Sequence, residues 1–460
     1  MTVFTLASNL PNDSFADWSD IALWQGGQIP NGPSAQVFLN NISPNFYFVE
    51  VMQSEPISIG SFNMQSNDLL LYGSLRSAGS VTVAAPAEIQ IYGGALSAQS
   101  LRLAGGGGND VGIVGVGTVS VAAPLYNNSA IVSGNAEGLS TQTALTVSAA
   151  YIQNNGLLEA SVNSTLTVEV TQTGGIANYV WGTLVGGTYE VESGGTLDLQ
   201  TNGLVHSLSA HVVYDGLGAG TIATYDPRSG HYVSLEQTLG LVTRSGTLEL
   251  DAGTYSTSGT LSVAGTLTLF GDAKFSAGTL YLPPNGQLNL LLAVPGGGQE
   301  VSGGRVIDDG NIFADGSGGG VAVINAPVLG GGTITIGPAV TIINEHMQSV
   351  TTTATLELTQ SDSNAIRFSD GTGAVILDNP ASVTGHFQDF RAGDKIELPN
   401  VALSSITAHA YTKGMLTLKE GNGVLHFAFD GSYSTADFLL QAGANGAGTL
   451  IVGVAPAVSA

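Results

Sequence analysis

The sequence contains no cysteine, which excludes thiolate catalysis, disulfide bonds and cysteine-ligated metals. Basic residues are scarce as well: 11 Lys and Arg stand against 35 Asp and Glu, for a formal charge of −24. Phosphate backbones and anionic membrane surfaces are bound by clustered cations, and the few present here are scattered, so we expect no nucleic-acid partner. No apolar run approaches the roughly 20 residues of a membrane-spanning helix, so we expect no membrane insertion.

Charged side chains form only 10% of the chain, against a usual ~25%. Glycine is about twice as common as usual, with 64 in 460 residues. A solvent face of Thr, Ser, Asn and Gly is typical of strands, and no long stretch has helical periodicity. The composition therefore predicts an all-β protein.

The missing cysteines fit a bacterial extracellular protein. The first residues, MTVFTLASNLPND, have neither the basic nor the apolar region of a signal peptide. We therefore expect that a signal peptide has been removed or that export uses another signal. The predicted location is secreted, at the bacterial cell surface.

One short phrase recurs between residues 246 and 290: Gly, a small polar residue, Leu, any residue, and Leu or Val. Gly246 and Gly265 begin one pair of copies, and Gly259 and Gly278 begin another pair with the same separation. The alternation of apolar and polar positions indicates half-buried strands, and each glycine marks a turn. The phrase predicts a β-solenoid (β-helix) of about 19–20 residues per coil, in preference to an antiparallel sandwich or barrel.

A second phrase recurs in the N-terminal half. Residues 80–86 (SVTVAAP) return as residues 118–124 (TVSVAAP), and the separation of Val81 from Val119 is twice that of Gly246 from Gly265. We therefore expect both phrases to belong to one continuous solenoid. Residues 105–113 approach the calcium-binding nonapeptide GGxGxDxUx, but Gly112 occupies its apolar position, so we interpret them as a glycine turn.

Large aromatic residues mark the start of the chain. Trp18 and Trp24 precede a Gly-Gly pair and Pro30, and residues 46–48 read FYF. Such residues cap the open end of a repeat array, so we predict a cap over residues 1–56; an aromatic platform for sugar is the alternative. This opening resembles that of bacterial secreted β-solenoid and autotransporter-passenger-like surface proteins, and the resemblance implies an adhesin-like role.

The solenoid is predicted over residues 57–360, and the character of the sequence changes in residues 361–460. There the run DFRAGDKIEL (389–398) is followed by YSTADF (433–438) and GTLIV (448–452). These phrases resemble the C-terminal β modules of type I-secreted bacterial surface proteins. The resemblance implies a secretion or assembly module.

The repeat becomes irregular in residues 176–245. Segment 176–181 is aromatic, and a later loop is rich in functional side chains. Insertions in solenoids form loops on one side, often the binding side. We therefore predict a glycan-binding site, with a purely structural loop as the alternative, at the following residues: Tyr225, Asp226, Arg228, His231 and Tyr232.

Acidic turns supply a second set of candidates. Asp308, Asp309, Asp315, Asp389 and Asp394 carry the oxygen ligands that calcium prefers. Paired aspartates also serve as an acid and a base, and in turns they often satisfy backbone groups. Calcium is thus the one cofactor that the sequence suggests.

No zinc motif, nucleophile elbow, P-loop or dinucleotide fingerprint stands in a convincing context. Of the motifs typical of β-helical pectin hydrolases, only the Asp308-Asp309 pair is present, so we expect that the chain is not an enzyme. We expect an extracellular structural protein that assembles with itself head to tail, as a surface-layer, filament or biofilm-matrix subunit. The alternatives are an adhesin that binds surface polysaccharide and a lyase of the β-helix type.

Overall fold

The computed structural model describes residues 2–7, 15–40, 48–53, 56–105, 111–134, 143–172, 175–291, 298–316, 320–338, 340–343, 349–369, 371–443 and 446–454. Strands account for 62% and helices for 4%, so the all-β class is confirmed. The chain divides into two compact units, unit 1 (Met1–Thr238) and unit 2 (Leu239–Ala460). The predicted boundaries 1–56, 57–360 and 361–460 stay a prediction.

The described part of unit 1 consists of strands and one short helix. They are β1 (Thr2–Thr5), β2 (Phe15–Asp17), β3 (Gly32–Leu39), β4 (Phe48–Val51), β5 (Ile57–Met64), β6 (Asp68–Leu71), β7 (Ser74–Ser77), β8 (Ser80–Ala84), β9 (Ile89–Ala98), β10 (Ser100–Ala104), β11 (Val111–Asn127), β12 (Ala130–Ser133), β13 (Ala144–Asn154), β14 (Leu157–Ala160), β15 (Thr165–Val170), β16 (Tyr179–Val180), β17 (Thr183–Val191), β18 (Thr196–Leu199), β19 (Ser207–Asp215), β20 (Thr221–Asp226), β21 (His231–Ser234) and α1 (Leu235–Thr238), with a 3₁₀ turn at Ile21–Leu23.

Unit 2 contains the remaining strands. They are β22 (Leu241–Val242), β23 (Thr247–Asp251), β24 (Thr254–Val263), β25 (Thr266–Phe270), β26 (Lys274–Leu282), β27 (Gln287–Leu291), β28 (Glu300–Gly303), β29 (Val306–Asp308), β30 (Asn311–Asp315), β31 (Ala322–Asn325), β32 (Val328–Leu329), β33 (Thr333–Ile336), β34 (Val340–Ile343), β35 (Ser349–Thr352), β36 (Thr355–Leu358), β37 (Ala365–Phe368), β38 (Ala374–Leu377), β39 (His386–Gln388), β40 (Lys395–Leu398), β41 (Ile406–Thr412), β42 (Met415–Glu420), β43 (Gly423–Asp430), β44 (Phe438–Ala442) and β45 (Thr449–Gly453), with 3₁₀ turns at Pro380–Ser382, Leu403–Ser405 and Thr435–Asp437.

Parallel ladders, here called A, B and C, run through the described strands of unit 1. Inward residues stack along each ladder in register, and all of them are buried. Each buried aliphatic side chain contributes about 1.5–3 kcal/mol to stability. The columns are Phe62–Val81–Leu101–Leu125–Ile152 in ladder A, Leu75–Leu96–Val119–Val147–Val168–Leu199 in ladder B, and Val49–Leu69–Ile89–Ile113–Ile131–Leu158–Tyr189–Val212 in ladder C.

The predicted spacing is confirmed in the repeat that suggested it, since Leu248 pairs with Leu267 and Leu261 with Leu280. It does not hold uniformly. In unit 1, the interval from Ile57 to its partner Leu75 is slightly shorter, whereas that from Phe15 to its partner Phe48 is much longer. The ladders fix which residues pair, while the connecting segments vary in length at little entropic cost.

The SVTVAAP and TVSVAAP phrases lie in different ladders of unit 1, and their membership of one continuous solenoid stays a prediction. Val81 pairs with Phe62 and Leu101 in ladder A, whereas Val119 pairs with Leu96 and Val147 in ladder B. The two phrases are therefore not copies within one column. Every ladder needs the same alternation on its inward face, so similar phrases arise in different ladders.

The two N-terminal tryptophans are part of the core of unit 1. Trp18 is 1% and Trp24 2% exposed, and their ring centroids lie 4.8 Å apart. Trp18 also packs on Phe62, at 6.0 Å between centroids. Because both rings are buried, they form no sugar platform. The neighbouring Phe46 and Tyr47 lie outside the described residues, as do residues 106–110 of the glycine turn.

A row of buried asparagines lines one corner of unit 1. Asn127 Nδ2 donates to Asn154 Oδ1 at 2.8 Å. The Asn178 side chain forms two hydrogen bonds with the backbone of Asn154: its Nδ2 donates to the carbonyl and its Oδ1 accepts from the amide. All three side chains are at most 5% exposed. These asparagines form hydrogen bonds with buried backbone groups at a turn. The last of them, Asn178, directly precedes the hairpin described below.

Unit 2 has the same parallel pairing over most of its length. Its inward columns include Leu248–Leu267–Leu288–Ile312–Ile334–Ile366–Phe387 and Tyr255–Phe275–Val301–Ile324–Leu358–Leu377. After β40 antiparallel pairs predominate, in β41–β42–β43 and in β40–β45–β44, while β43 also pairs in parallel with β39. The buried rings that pack beside these strands include Phe387, Phe390, Phe429 and Phe438.

Candidate binding cavity

A tight hairpin projects from unit 1 between β16 and β17, and we call it the Trp181 hairpin. Val180 pairs with Thr183, which leaves Trp181 and Gly182 as a two-residue turn. Their φ angles are +51° and +82°, the left-handed values of a hairpin turn that usually carries Asn-Gly. Trp181 is 98% exposed at the tip. A tryptophan in this conformation is strained and gains nothing from burial.

The asparagine row holds this hairpin in place. Asn178 Nδ2 donates to the carbonyl of Val185 at 2.6 Å, across the hairpin from its own position. The turn itself is tied to the next segment, because the amide of His206 donates to the carbonyl of Gly182 at 2.8 Å. Hydrogen bonds on both sides therefore anchor the hairpin that carries the exposed tryptophan.

A second hairpin, the Arg228 hairpin, is formed by β20 and β21. Tyr225 pairs with Tyr232, and their rings lie 5.5 Å apart with an interplanar angle of 65°. The carboxylate of Asp226 accepts hydrogen bonds from the amides of Arg228 (3.0 Å) and Ser229 (3.3 Å). These bonds hold the pKa of Asp226 below its usual range and fix the turn.

The segment 202–206 lies between the two hairpins. Tyr179 Oη donates to the carbonyl of Leu204 at 3.3 Å. Gly203 has φ +148°, and a Cβ on it would lie 2.6 Å from Tyr179 Oη. His206 Nδ1 lies 3.1 Å from the carbonyl of Thr238 and must donate to it, so the neutral ring keeps Nε2 as an acceptor.

These three segments enclose an open cavity of about 430 Å³. That volume lies in the ~300–1,000 Å³ range of small-molecule sites. Its wall combines aromatic rings with hydrogen-bonding and charged groups. The lining residues are Tyr179, Trp181, Gly182, Asn202, Gly203, Leu204, His206, Asp226, Pro227 and Arg228.

Two of the five predicted ligand residues, Asp226 and Arg228, line this cavity. Tyr225, His231 and Tyr232 belong to the same hairpin but are not among the lining residues. Burial, together with the negative charges of Asp198 and Glu169, raises the pKa of Tyr232 to about 12. The five predicted residues stay a prediction as a binding set.

Sequence reasoning missed the aromatic half of the cavity, Tyr179 and Trp181, together with Asn202 and His206. The aromatic segment 176–181 was visible as a break in the repeat. A Trp-Gly pair where a hairpin turn normally has Asn-Gly is the signal that would have singled out Trp181.

The cavity offers a flat apolar ring, hydrogen-bonding groups and a cation. No ion pair or side-chain hydrogen bond engages the Arg228 guanidinium within the described part of the chain. Among the described residues of the lining, Asp226 is the one carboxylate, and it is held by its own turn. Glycoside hydrolysis uses two carboxyl groups, and the described lining supplies one of them.

The predicted calcium residues, all in unit 2, have different surroundings. Asp308 is buried at the end of β29, whereas the adjacent Asp309, in the bend that follows, is exposed. Asp389 forms an ion pair with Arg367 at 2.9 Å. Asp394 is buried and accepts hydrogen bonds from the amides of Arg391 (2.7 Å) and Gly373 (3.1 Å).

Asp315 ends β30 half-buried, and its Oδ1 has no hydrogen-bond partner in the described structure. Within the described ranges, no group of three or more His, Asp or Glu is placed to hold a metal ion. Calcium binding by these five residues stays a prediction.

Comparison of the chain with protein-family models, with curated proteins and with solved structures finds no match. In the portion of the chain that the structure describes, no helix is long and apolar enough to cross a membrane. The cavity is therefore interpreted from its own geometry.

Proposed function

We propose that the chain is a secreted bacterial surface protein of the β-solenoid type that binds a saccharide between the Trp181 and Arg228 hairpins. The parallel ladders of each unit support the solenoid, because successive strands stack in register with inward columns of Leu, Val and Ile. Loops inserted between the coils of such a fold often carry the binding site.

The observation that carries the proposal is the state of Trp181. An exposed, strained tryptophan costs stability, and such features concentrate at functional sites. The ring stands beside a cavity wall, where it presents an apolar face to a ligand. Sugar rings have one face of C–H groups that packs on an aromatic ring, and a rim of hydroxyls that forms hydrogen bonds.

The other wall supplies partners for those hydroxyls. Asn202 offers an amide donor and acceptor, His206 offers Nε2, and Arg228 offers its guanidinium donors. The volume of about 430 Å³ fits a short saccharide segment. A binding role, without catalysis, agrees with a lining that holds a single carboxylate among its described residues.

Glycan-array binding of the full chain, followed by calorimetric titration of the best ligand, tests the proposal. We expect Trp181→Ala to weaken binding by about 10- to 100-fold, because roughly 1.5–3 kcal/mol of ring burial is lost. Phe15→Ala is the matched control: this exposed aromatic residue of unit 1 does not line the cavity. Unchanged affinity in Trp181→Ala would remove the proposal.

Head-to-tail self-assembly stays a prediction. Negative-stain electron microscopy of the chain with and without residues 1–50 tests it, since the prediction requires filaments or sheets that disappear with the deletion. The lyase alternative is tested by assaying for unsaturated uronates in the presence of calcium.

A further inference from the structure

Asp308, at the end of β29, has a buried carboxyl group that is held on several sides. Its Oδ1 accepts a hydrogen bond from the amide of Gly310 at 2.9 Å. Its Oδ2 accepts one from Asn364 Nδ2 at 2.6 Å. A Cβ on Gly332 would lie 2.5 Å from the same Oδ2. The residue is 0% exposed, so its carboxyl group has no access to bulk water.

Asp362 is tied to the same asparagine. Its Oδ1 accepts a hydrogen bond from the amide of Asn364 at 3.1 Å. Asp362 and Asn364 are each 1% exposed. In the described structure Asp362 Oδ2 and Asn364 Oδ1 have no hydrogen-bond partner. Both atoms belong to groups whose other polar atom is bonded within the cluster.

The charge balance of the cluster is also incomplete. Within the described residues, neither carboxyl group has a Lys, Arg or His in an ion pair. Two buried negative charges without a counter-charge are strongly unfavourable.

We propose that Asp308, Asp362 and Asn364 form an oxygen-ligand site for a divalent cation of the calcium class. Hard divalent cations are bound by carboxylate and amide oxygens, and two carboxylates balance the charge of one such ion. A divalent cation would supply a partner to the two unbonded acceptor atoms, Asp362 Oδ2 and Asn364 Oδ1.

Thermal unfolding of the full chain at about pH 8, with calcium or with chelator, tests the site. We expect calcium to raise the unfolding temperature of the wild-type chain relative to chelator. Asp362→Asn should unfold at a higher temperature than wild type in chelator, because a buried charge is gone, and should not respond to calcium. Asp309→Asn, which changes the exposed neighbour, should respond as wild type does.

Calorimetric titration with calcium chloride should show one site per chain in wild type and its loss in Asp362→Asn. If Asp362→Asn does not fold, Asn364→Asp is used instead. Its third carboxylate should increase the difference between the unfolding temperature in calcium and that in chelator. An unfolding temperature that calcium leaves unchanged in wild type, or raises equally in Asp362→Asn, overturns the proposal. The proposal is also overturned if calcium raises the unfolding temperature of Asn364→Asp by no more than it raises that of wild type.

Discussion

The side chain of Asn178 is bonded to the backbone of Asn154 at both of its ends. Asn178 Nδ2 donates to the carbonyl of Asn154 at 2.7 Å, and Asn178 Oδ1 accepts from its amide at 2.7 Å. Asn154 belongs to the strand ladders, whereas Asn178 begins the Trp181 hairpin. This pair therefore joins the buried core of unit 1 to the proposed binding cavity.

Replacement of Asn178 by alanine should lower the free energy of unfolding by about 1–3 kcal/mol, because buried backbone groups lose their partners. It should also weaken saccharide binding, since the hairpin that carries Trp181 loses its anchor. Urea unfolding and calorimetric titration measure the two effects. Asn128→Ala, at an exposed asparagine next to the row, should stay within about 0.5 kcal/mol of wild type. Equal stability of the two variants would contradict the anchoring role.

Trp181→Asn should separate stability from binding. Asparagine tolerates left-handed backbone and is preferred before glycine in this turn, so we expect a gain of roughly 0.5–1 kcal/mol in the free energy of unfolding. Saccharide binding should be lost, because the ring is gone. Urea unfolding and a binding titration on the same preparation measure both. A lower free energy of unfolding in the variant than in wild type would show that Trp181 packs on the protein, which contradicts its proposed role in ligand binding.

The Asp68–Glu88 pair should make unit 1 less stable as the pH rises. Burial raises the pKa of Asp68 to about 6, and burial together with the charge of Asp68 raises that of Glu88 to about 7. The folded state thus binds more protons than the unfolded state between about pH 4 and pH 7, and the stabilisation is lost as the pH rises through this range.

Urea unfolding between pH 5 and pH 8 (about the window of the two shifts) checks the prediction. Asp68→Asn with Glu88→Gln keeps the bond from the amide of Glu88 to the Oδ1 of residue 68, but removes both charges. The double variant should lose stability less steeply than wild type with rising pH. Parallel pH profiles for the two proteins would show that this pair does not titrate as described.

Gly203→Ala should damage the cavity by displacing one of its lining side chains, Tyr179. Gly203 has φ +148°, and its added Cβ would meet Tyr179 Oη at 2.6 Å, so the tyrosine must move from the wall. We expect weaker saccharide binding. Gly331→Ala, in unit 2, is the control, because nothing lies within 4 Å of a Cβ there. Wild-type affinity in Gly203→Ala would mean that the position of Tyr179 is unimportant.

The strand pattern was predictable where the sequence repeats closely, as in the pairing of Leu248 with Leu267. The assignment of phrases to ladders was not, because Val81 and Val119 satisfy the same inward pattern in different ladders. Non-local pairs were also invisible: Asp308 and Asn364 are 56 residues apart, and only the stacking of strands brings them together. In the cavity, Asp226 and Arg228 could be predicted because they lie in a loop rich in functional side chains. Trp181 could be found only by recognising Trp181-Gly182 as a hairpin turn, where Asn-Gly is usual.

The most direct test of the saccharide site uses the tryptophan fluorescence of the chain. Its three tryptophans comprise Trp18 and Trp24, which are buried, and Trp181, which is 98% exposed. Acrylamide should therefore quench one accessible component, that of Trp181. Addition of the glycan selected on the array should protect this component and shift its emission to shorter wavelength. An accessible component that remains equally quenched while the glycan is bound would contradict the account.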